Sequence, residues 1–432
     1  MRRAVRAFFR KTLSSAIIAG LALAAPATAL AGDSGWHTNW KDGINWKSDD
    51  GQHSIRLGGR ILGDFAAISE DTNLKDAIGG EGTGVEFRAA RIFIQGTAYK
   101  RLAWKAQYDF ASSSVKDLWI ALKKVPHLGT VKFGHFKEPF SLQQLTSLRF
   151  ITFMERALPA AFDPSRNTGI QFNNSLFDKR ATWAIGAFRE MDSDFGETKG
   201  FSDSSGYQIT ARASGAPIYQ DGGAKLLHLG LGYSHKFREI GGGQDVRWKS
   251  RPESHLAPTI ADSGKLDSNG ANLLNIEAAA VAGPLSLQAE YTSAWTELAT
   301  GSSRSWGAYV EASYFITGEH RHYVLGKGVF GRNKIRKNLN EGWGAWQIAA
   351  RFSRLEVLNE DGLNTGDVRD ITLGLNWYLY SNFRIMANYI YSDVNNAPYY
   401  VDVSAPGDPE DLQLFRADGN ANIFQMRAQV DF

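Results

Sequence analysis

Apolar and polar residues alternate with a period of two along much of the chain. From Phe424 to Phe432 every second residue is apolar, and the residues between them are polar or charged. The same alternation recurs at 306–316, 371–379 and 383–391. Because successive side chains of a strand point to opposite faces of its sheet, each segment predicts a strand with one apolar and one polar face.

Sixteen such strands are predicted, at approximately 54–69, 84–99, 101–111, 115–123, 129–138, 168–176, 179–190, 205–216, 224–239, 270–282, 285–297, 304–317, 343–356, 370–380, 382–393 and 422–432. A soluble β-sandwich would show the same alternation, with its apolar faces inward. Aromatic residues near strand ends and charges on the polar faces favour a membrane barrel with a wet lumen instead. The sequence therefore predicts an all-β fold, a closed 16-stranded antiparallel transmembrane β-barrel without free edges.

The N-terminus has the pattern of a secretory signal. Five basic residues lie within the first eleven positions, and an apolar run follows from Leu13 to about Ala25. The triplet Ala29-Leu30-Ala31 offers a cleavage site, with 27–29 as the second choice. The apolar run is too short to cross a bilayer as a helix. We expect a signal peptide at 1–31 and the barrel at 32–432.

Composition removes several function classes. The chain has no cysteine, which excludes disulfides, cysteine–zinc sites and thiol nucleophiles. Its formal net charge is +3, but five of the 48 basic residues and no acidic residue lie in 1–31. The remaining chain therefore has 43 basic and 45 acidic residues, a net charge of −2. The basic residues are not interleaved with aromatic residues on one exposed face, so no nucleic-acid partner is expected.

Strand parity assigns each connection to one side of the membrane. If both termini are periplasmic, the outside connections are the longer ones: 70–83, 139–167, 191–204, 240–269, 357–369 and 394–421. Two connections are unusual, the apolar outside loop 139–167 and the long basic periplasmic loop 318–342. We predict that both fold into the lumen, which would bring Arg149, Arg156 and Arg166 to a constriction. The alternatives are a surface lid for 139–167, and for 318–342 a solvated flap or a miscounted strand pair.

Several short motifs carry a family resemblance. They include Leu57–Arg60 and Phe87–Arg91, and the most specific are Lys132–Lys137 and Phe153–Arg156. The chain resembles the phosphate-selective porins O and P of Gram-negative outer membranes, over nearly all of its length after the signal. The resemblance implies a homotrimer in outer-membrane lipid, with pores narrowed by an infolded third outer loop and an infolded periplasmic turn. It also implies phosphate or polyphosphate as the transported anion.

The resemblance also implies the residues that line the pore. They are Arg60, Arg88, Asp117, Ser147 and Arg156, to which the inward loop adds Arg149. Two positions depart from the family, because Ala89 replaces an arginine and Gln144 replaces a central lysine. Arg91, which replaces an aromatic residue two positions along, is expected to restore the first charge. Lys327, Lys334 and Lys337 of the periplasmic loop are expected to substitute for the second.

The sequence therefore predicts a passive anion channel that uses no cofactor and performs no catalysis. The alternative is a general diffusion porin, or a channel for another anionic solute, because of the two departures. An outer-membrane enzyme would need a Ser–His arrangement, and no histidine or serine lies in a recognisable motif of that kind. The pair His320 and His322 lacks a nearby acidic third ligand, so no metal site is expected. An adhesive barrel would lack a conducting lumen.

Overall fold

A computed structural model describes residues 35–80, 82–191, 206–238, 245–299, 301–402 and 412–432. The signal peptide expected at 1–31 lies outside these residues. The barrel strands are β1 Ser54–Glu70, β2 Gly82–Ala98, β3 Leu102–Asp109, β4 Ser114–Val125, β5 Gly129–Lys137, β6 Arg166–Leu176, β7 Ala181–Arg189, β8 Tyr207–Gln220, β9 Lys225–Phe237, β10 Ser268–Ala282, β11 Leu285–Leu298, β12 Gly301–Phe315, β13 Ala345–Leu358, β14 Asn364–Tyr380, β15 Phe383–Asp402 and β16 Leu412–Asp431.

These strands form one closed sheet. Each strand pairs antiparallel with its neighbours in the chain, and the last strand returns to the first, where Met426 lies opposite Phe65 and Asp431 opposite Arg60. Closure leaves no barrel edge exposed to lipid, as a membrane-spanning sheet requires. The predicted 16-stranded barrel is therefore confirmed, and every predicted strand overlaps an observed one.

The outer ends of the last three strands were predicted too short. β14 begins at Asn364 rather than 370, β15 continues to Asp402, and β16 begins at Leu412 rather than 422. Much of what was expected to be outside loop is thus paired strand that projects beyond the apolar band. These segments have few apolar residues at alternate positions, and several of their apolar side chains, such as Val368 and Ala397, are buried in a cluster with Leu74 and Trp248. The alternation on which the prediction depended is therefore absent there.

Exposure along the strands is the reverse of that in a soluble protein. On β14, Ile371 is 50% and Leu373 is 53% exposed, whereas Thr372 is 1% and Asn376 is 0% exposed. The same reversal holds on β16, where Phe424 is exposed and Arg427 is buried. The apolar face points outward to lipid and the polar face lines the lumen, which excludes the sandwich alternative.

Several smaller elements lie outside the sixteen barrel strands. A hairpin of Trp36–Trp40 and Ile44–Ser48 continues the sheet next to the first residues of β1. The other short elements are the helices Thr72–Ile78 and Leu142–Leu145, the 3-10 turns Leu158–Phe162, Asp221–Gly223 and Leu325–Lys327, and the strand pairs Lys249–Ser250 with Ala261–Asp262 and Tyr323–Val324 with Val329–Phe330. In the part of the chain that the structure describes, no helix has the length and apolar character needed to cross a membrane.

Candidate pore

Residues 138–165, here called the constriction loop, fold into the lumen. The backbone N–H groups of Leu142 and Gln143 donate to the carboxylate of Glu290 on β11, at 3.0 and 2.8 Å. Further along the loop, the N–H of Met154 donates to Asn388 on β15 at 2.9 Å. The loop therefore spans the space between distant strands and buries its apolar side chains there. The inward fold predicted from its apolar composition is confirmed.

Residues 316–344, here called the returning loop, enter the lumen from the end that carries both termini. The Tyr323 hydroxyl lies 2.7 Å from Nδ1 of His228 on the wall strand β9. Nearby, the backbone N–H of Phe330 donates to the hydroxyl of Thr146 in the constriction loop at 3.4 Å. The two predicted loops therefore both enter the lumen and touch each other there.

A third loop also folds inward, which we did not predict. Residues 245–267, here called the mouth loop, were expected to stay outside as part of 240–269. Instead Glu253 is 4% exposed and its carboxylate accepts from Arg351 Nε at 2.9 Å and from the Ser353 hydroxyl at 2.5 Å. Because both partners are lumen-facing side chains of β13, the mouth loop narrows the outer half of the pore.

Three of the predicted arginines are ion-paired. Their closest nitrogen–oxygen distances are 2.7 Å for Arg88 with Glu155, 2.6 Å for Arg91 with Asp109, and 3.1 Å for Arg149 with Asp431. Arg91 was expected to restore the charge missing at Ala89, but Asp109 neutralises it because the β2–β3 register places the two residues opposite each other. These arginines lie at the constriction without adding net positive charge to it.

Ala89 has a packing role at this wall. It is fully buried and forms an apolar cluster with Leu62 and with Leu148 and Ile151 of the constriction loop. An arginine at this position would displace those loop residues. The alanine therefore belongs to the surface on which the constriction loop packs.

Arg60 and Ser147 lie together on the pore wall. Arg60 Nη1 donates to the Ser147 hydroxyl at 3.1 Å, and no carboxylate of the described chain lies within ion-pair distance of Arg60. Asp117 instead accepts from Lys105 at 2.5 Å and from Arg166 at 3.0 Å. The predicted residues thus include Arg60, whose charge is not neutralised by an ion pair, and one carboxylate that already holds two cations.

Arg156 stabilises the fold of the constriction loop. Its guanidinium donates to the backbone oxygens of Gln143, Gln144 and Thr146 at 3.2, 3.4 and 3.3 Å. Burial lowers the pKa of Arg156 to about 10, against the opposing effect of Glu155, so the group remains charged at neutral pH. Its donors are directed at the loop's own carbonyl groups.

A cavity of about 910 Å³ lies below the constriction loop, toward the end of the barrel with both termini. We call it the vestibule. Its wall contains eight basic residues and, among the described residues that line it, no Asp or Glu. The basic residues are Lys41, Lys47, Arg56, Lys123, Lys132, Lys137, Arg212 and Lys327. Within the described parts of the chain, Arg212 is the only one of the eight with a carboxylate partner, Glu277 at 2.8 Å, and the vestibule is therefore strongly electropositive.

Sequence reasoning identified only one of these eight vestibule residues as a site. Lys327 lines the vestibule as expected, whereas Lys334 and Lys337 are exposed and do not line it. Lys132 was missed, although strand parity could have identified it. Its apolar neighbour Phe133 is 57% exposed on the lipid face, and neighbouring residues of a strand point to opposite faces, so Lys132 faces the lumen. Lys41 and Lys47 could not have been placed, because they belong to the hairpin that precedes the barrel.

Comparison with known proteins gives matches that cover most of the chain. A model of the family described as phosphate-selective porin O and P matches residues 55–432. Porin O of Pseudomonas aeruginosa is 27% identical, over 88% of this chain and 93% of its own length. An uncharacterized protein of Caulobacter vibrioides is also 27% identical, over 87% of this chain and 76% of its own length.

Solved structures share the fold at low sequence identity. An anion-selective porin from Comamonas acidovorans matches with a TM-score of 0.54 and 15% identity, over 88% of this chain and all of its own. OmpT of Vibrio cholerae matches with a TM-score of 0.53 and 13% identity, over 88% of this chain and 98% of its own.

Proposed function

The chain belongs to the phosphate-selective porin O and P family, and we propose on this premise that its vestibule cations make the pore selective for anions, with phosphate or polyphosphate as the transported solute. As a family member it is a passive channel of the Gram-negative outer membrane and not an enzyme. The observation that carries the proposal is the vestibule, which has eight basic residues and no acidic residue among its described lining.

The local field of a pore decides which ion enters it, so the net charge of −2 outside the signal is no objection. Conduction also needs several moderate sites, because an ion held at one tight site would leave too slowly. Lysines in the vestibule provide such sites. Lys132 has no carboxylate partner in the described chain, and its Nζ lies over the Phe136 ring at 4.1 Å.

The Arg60–Ser147 pair is the proposed contact for an oxyanion at the constriction. A guanidinium can bind two oxygens of one phosphate, and a serine hydroxyl adds a third donor. Asp117 lies close by but is already occupied by Lys105 and Arg166. We propose that its charge limits the strength of phosphate binding, so that the anion passes on to the vestibule.

Planar-bilayer recording tests the proposal. In a KCl gradient the reversal potential should indicate chloride over potassium, and millimolar phosphate should reduce the chloride current. Replacing the two vestibule lysines Lys123 and Lys132 by methionine should lower this selectivity, and the matched control is the same replacement at the exposed Lys334 and Lys337, which should not. Cation selectivity of the unmodified channel would refute the proposal.

The second candidate is a general diffusion porin or a channel for another anionic solute. It is favoured by the neutralisation of Arg88, Arg91 and Arg149 and by the packing role of Ala89. Current block by phosphate, polyphosphate and a dicarboxylate should be compared at equal ionic strength. Equal block by all three would favour this candidate over a phosphate channel.

We also propose a homotrimer. β3 has 8 residues and β5 and β7 have 9 each, whereas β15 and β16 have 20. A strand needs about 9–11 residues to cross the lipid core, so the short-strand side spans it only marginally. Neighbouring copies covering that side, with lipid around the rest, would remove the deficit. Cross-linking in the native membrane should give a trimer band, and a monomer alone would contradict it.

A further inference from the structure

Lys137 lies at the junction between the constriction and the vestibule. It is the last residue of β5, and the constriction loop begins immediately after it. Its side chain lines the vestibule, and its ammonium donates to the backbone oxygen of Gln144 in the constriction loop. In the part of the chain that the structure describes, no carboxylate lies within ion-pair distance of Lys137. No neighbouring carboxylate among the described residues therefore balances an ammonium at this narrow part of the pore.

Charged groups lie on both sides of Lys137, in the constriction and in the vestibule wall. Its ammonium interacts electrostatically with Arg156, Arg166 and Arg60 on the constriction side, and with Asp117. Asp117 is already held by Lys105 and Arg166, so it does not neutralise Lys137. On the other side lies the vestibule, whose wall Lys137 shares with Lys132 and Lys327.

We propose that Lys137 is a specificity-determining residue that receives an oxyanion from the Arg60–Ser147 pair and passes it to the vestibule. A lysine ammonium has three N–H donors, and one of them is used on the Gln144 carbonyl. The other two can bind oxygens of one tetrahedral oxyanion, such as phosphate. This inference rests on the proposed function, because it assumes that anions of this class cross the pore.

Gln144 offers a way to move the charge without removing it. Its side chain lies in the same loop segment whose backbone holds the Lys137 ammonium, and it is 8% exposed. In the variant Gln144→Lys a second ammonium would therefore be carried by the residue whose carbonyl accepts from Lys137. In the background Lys137→Met it would return one positive charge to this loop segment.

The experiment measures the phosphate concentration that halves the chloride current. Lys137→Met should raise it about tenfold, as expected for loss of one hydrogen bond to a charged group. Lys137→Met combined with Gln144→Lys should recover most of that loss. The comparison variant is Lys132→Met, which removes a vestibule charge elsewhere and should raise this concentration less than Lys137→Met does.

Conductance at high salt separates this role from a structural one. In about 1 M KCl the Debye length is about 3 Å, so conductance reports mainly the width of the pore. Lys137→Met should leave this conductance unchanged, and Lys137→Arg should keep the phosphate block. A changed conductance at high salt would show that Lys137 only positions the loop, and would overturn the inference.

The failures of the two proposals are distinguishable. If the unmodified channel is cation-selective or indifferent to phosphate, the proposed function fails and this inference fails with it. If the unmodified channel is blocked by phosphate and Lys137→Met is blocked at the same concentration, only the role of Lys137 is refuted. An equal rise of this concentration in Lys137→Met and Lys132→Met would also refute it, since the position of the charge would then not matter.

Discussion

At the residue scale, what distinguishes the pore cations is whether a carboxylate neutralises them. Arg88 and Arg427 share Glu155, whereas Arg60 and Lys132 have no carboxylate partner in the described chain. A guanidinium paired with a carboxylate holds the local structure in place. It adds little to the electric field of the pore, because the opposite charge lies within 3 Å. Selectivity should therefore depend on the unpaired cations, and the paired ones should mainly determine where the constriction loop lies.

Asp117 gives a direct test of this distinction. Asp117→Asn would release Lys105 and Arg166 from their shared carboxylate. We expect phosphate to block the chloride current at about tenfold lower concentration, because two charges become available for hydrogen bonds to the anion. Titration of the single-channel current measures this. The control is Asp178→Asn in an exposed turn, and an unchanged block in Asp117→Asn would contradict the prediction.

Glu155 should keep its charge in mild acid. Burial raises its pKa, but Arg88 and Arg427 lower it more, so the pKa lies well below its ordinary value. A carboxyl group of this kind contributes stability above its ordinary pKa and loses it only as the pH falls through the lowered folded value.

We therefore expect titration of Glu155 to cause no change of conductance in about 1 M KCl between about pH 7 and about pH 4, which is close to the ordinary pKa of a glutamate. Single-channel recording at stepped pH measures this. A change centred near about pH 4.3 that disappears in Glu155→Gln would contradict the expectation.

At the element scale, the sequence predicted the strands well and the loops only in part. Alternation located all sixteen strands because one face of each meets lipid. The constriction and returning loops were predicted from unusual composition, apolar in one and basic in the other. The mouth loop was missed because it packs against side chains from several strands, among them Leu355 and Val357 of β13, and no spacing along the chain encodes that packing.

For the charged side chains, the sequence could have predicted some ion pairs and not others. Arg91 and Asp109 lie opposite each other across the short β2–β3 connection, so the register alone could have predicted their pairing. The contact of Arg149 with Asp431 could not be predicted, because it joins an infolded loop to the last strand. Loop residues reach their partners through the three-dimensional path of the loop, which no spacing in the sequence encodes.

The mouth loop provides a prediction at this scale. Glu253→Gln would leave Arg351 with Glu311 at 3.7 Å as its remaining carboxylate, and removing one member of a buried ion pair costs up to about 3–5 kcal/mol. We expect the mouth loop to leave the lumen, which should increase conductance in about 1 M KCl and make the loop more sensitive to protease.

Glu360→Gln, in an exposed outer turn, provides the control and should change neither measurement. Unchanged conductance and proteolysis in Glu253→Gln would show that the rest of the loop, including the contact of Trp248 with Phe162 at 5.5 Å, is sufficient to hold it.

At the scale of the whole molecule, charge is unevenly distributed. The net charge of the chain therefore does not indicate the charge that lines the pore. The chain beyond the expected signal has a net charge of −2, yet the vestibule concentrates eight basic residues on one wall. A low-dielectric barrel surrounding a narrow lumen focuses that field along the pore axis. Selectivity should then depend on where a lysine lies and hardly at all on how many lysines the protein has.

Two double variants with the same change in net charge test this dependence on position. Lys123→Met with Lys132→Met removes two vestibule charges, whereas Lys334→Met with Lys337→Met removes two exposed charges of the returning loop. We expect only the first to lower the chloride-to-potassium permeability ratio in about 0.1 M KCl, where the Debye length is about 10 Å, and the difference to shrink in about 1 M KCl. Reversal potentials measure the ratio. Equal loss in both double variants would mean that the returning loop brings Lys334 and Lys337 into the path of the ions after all.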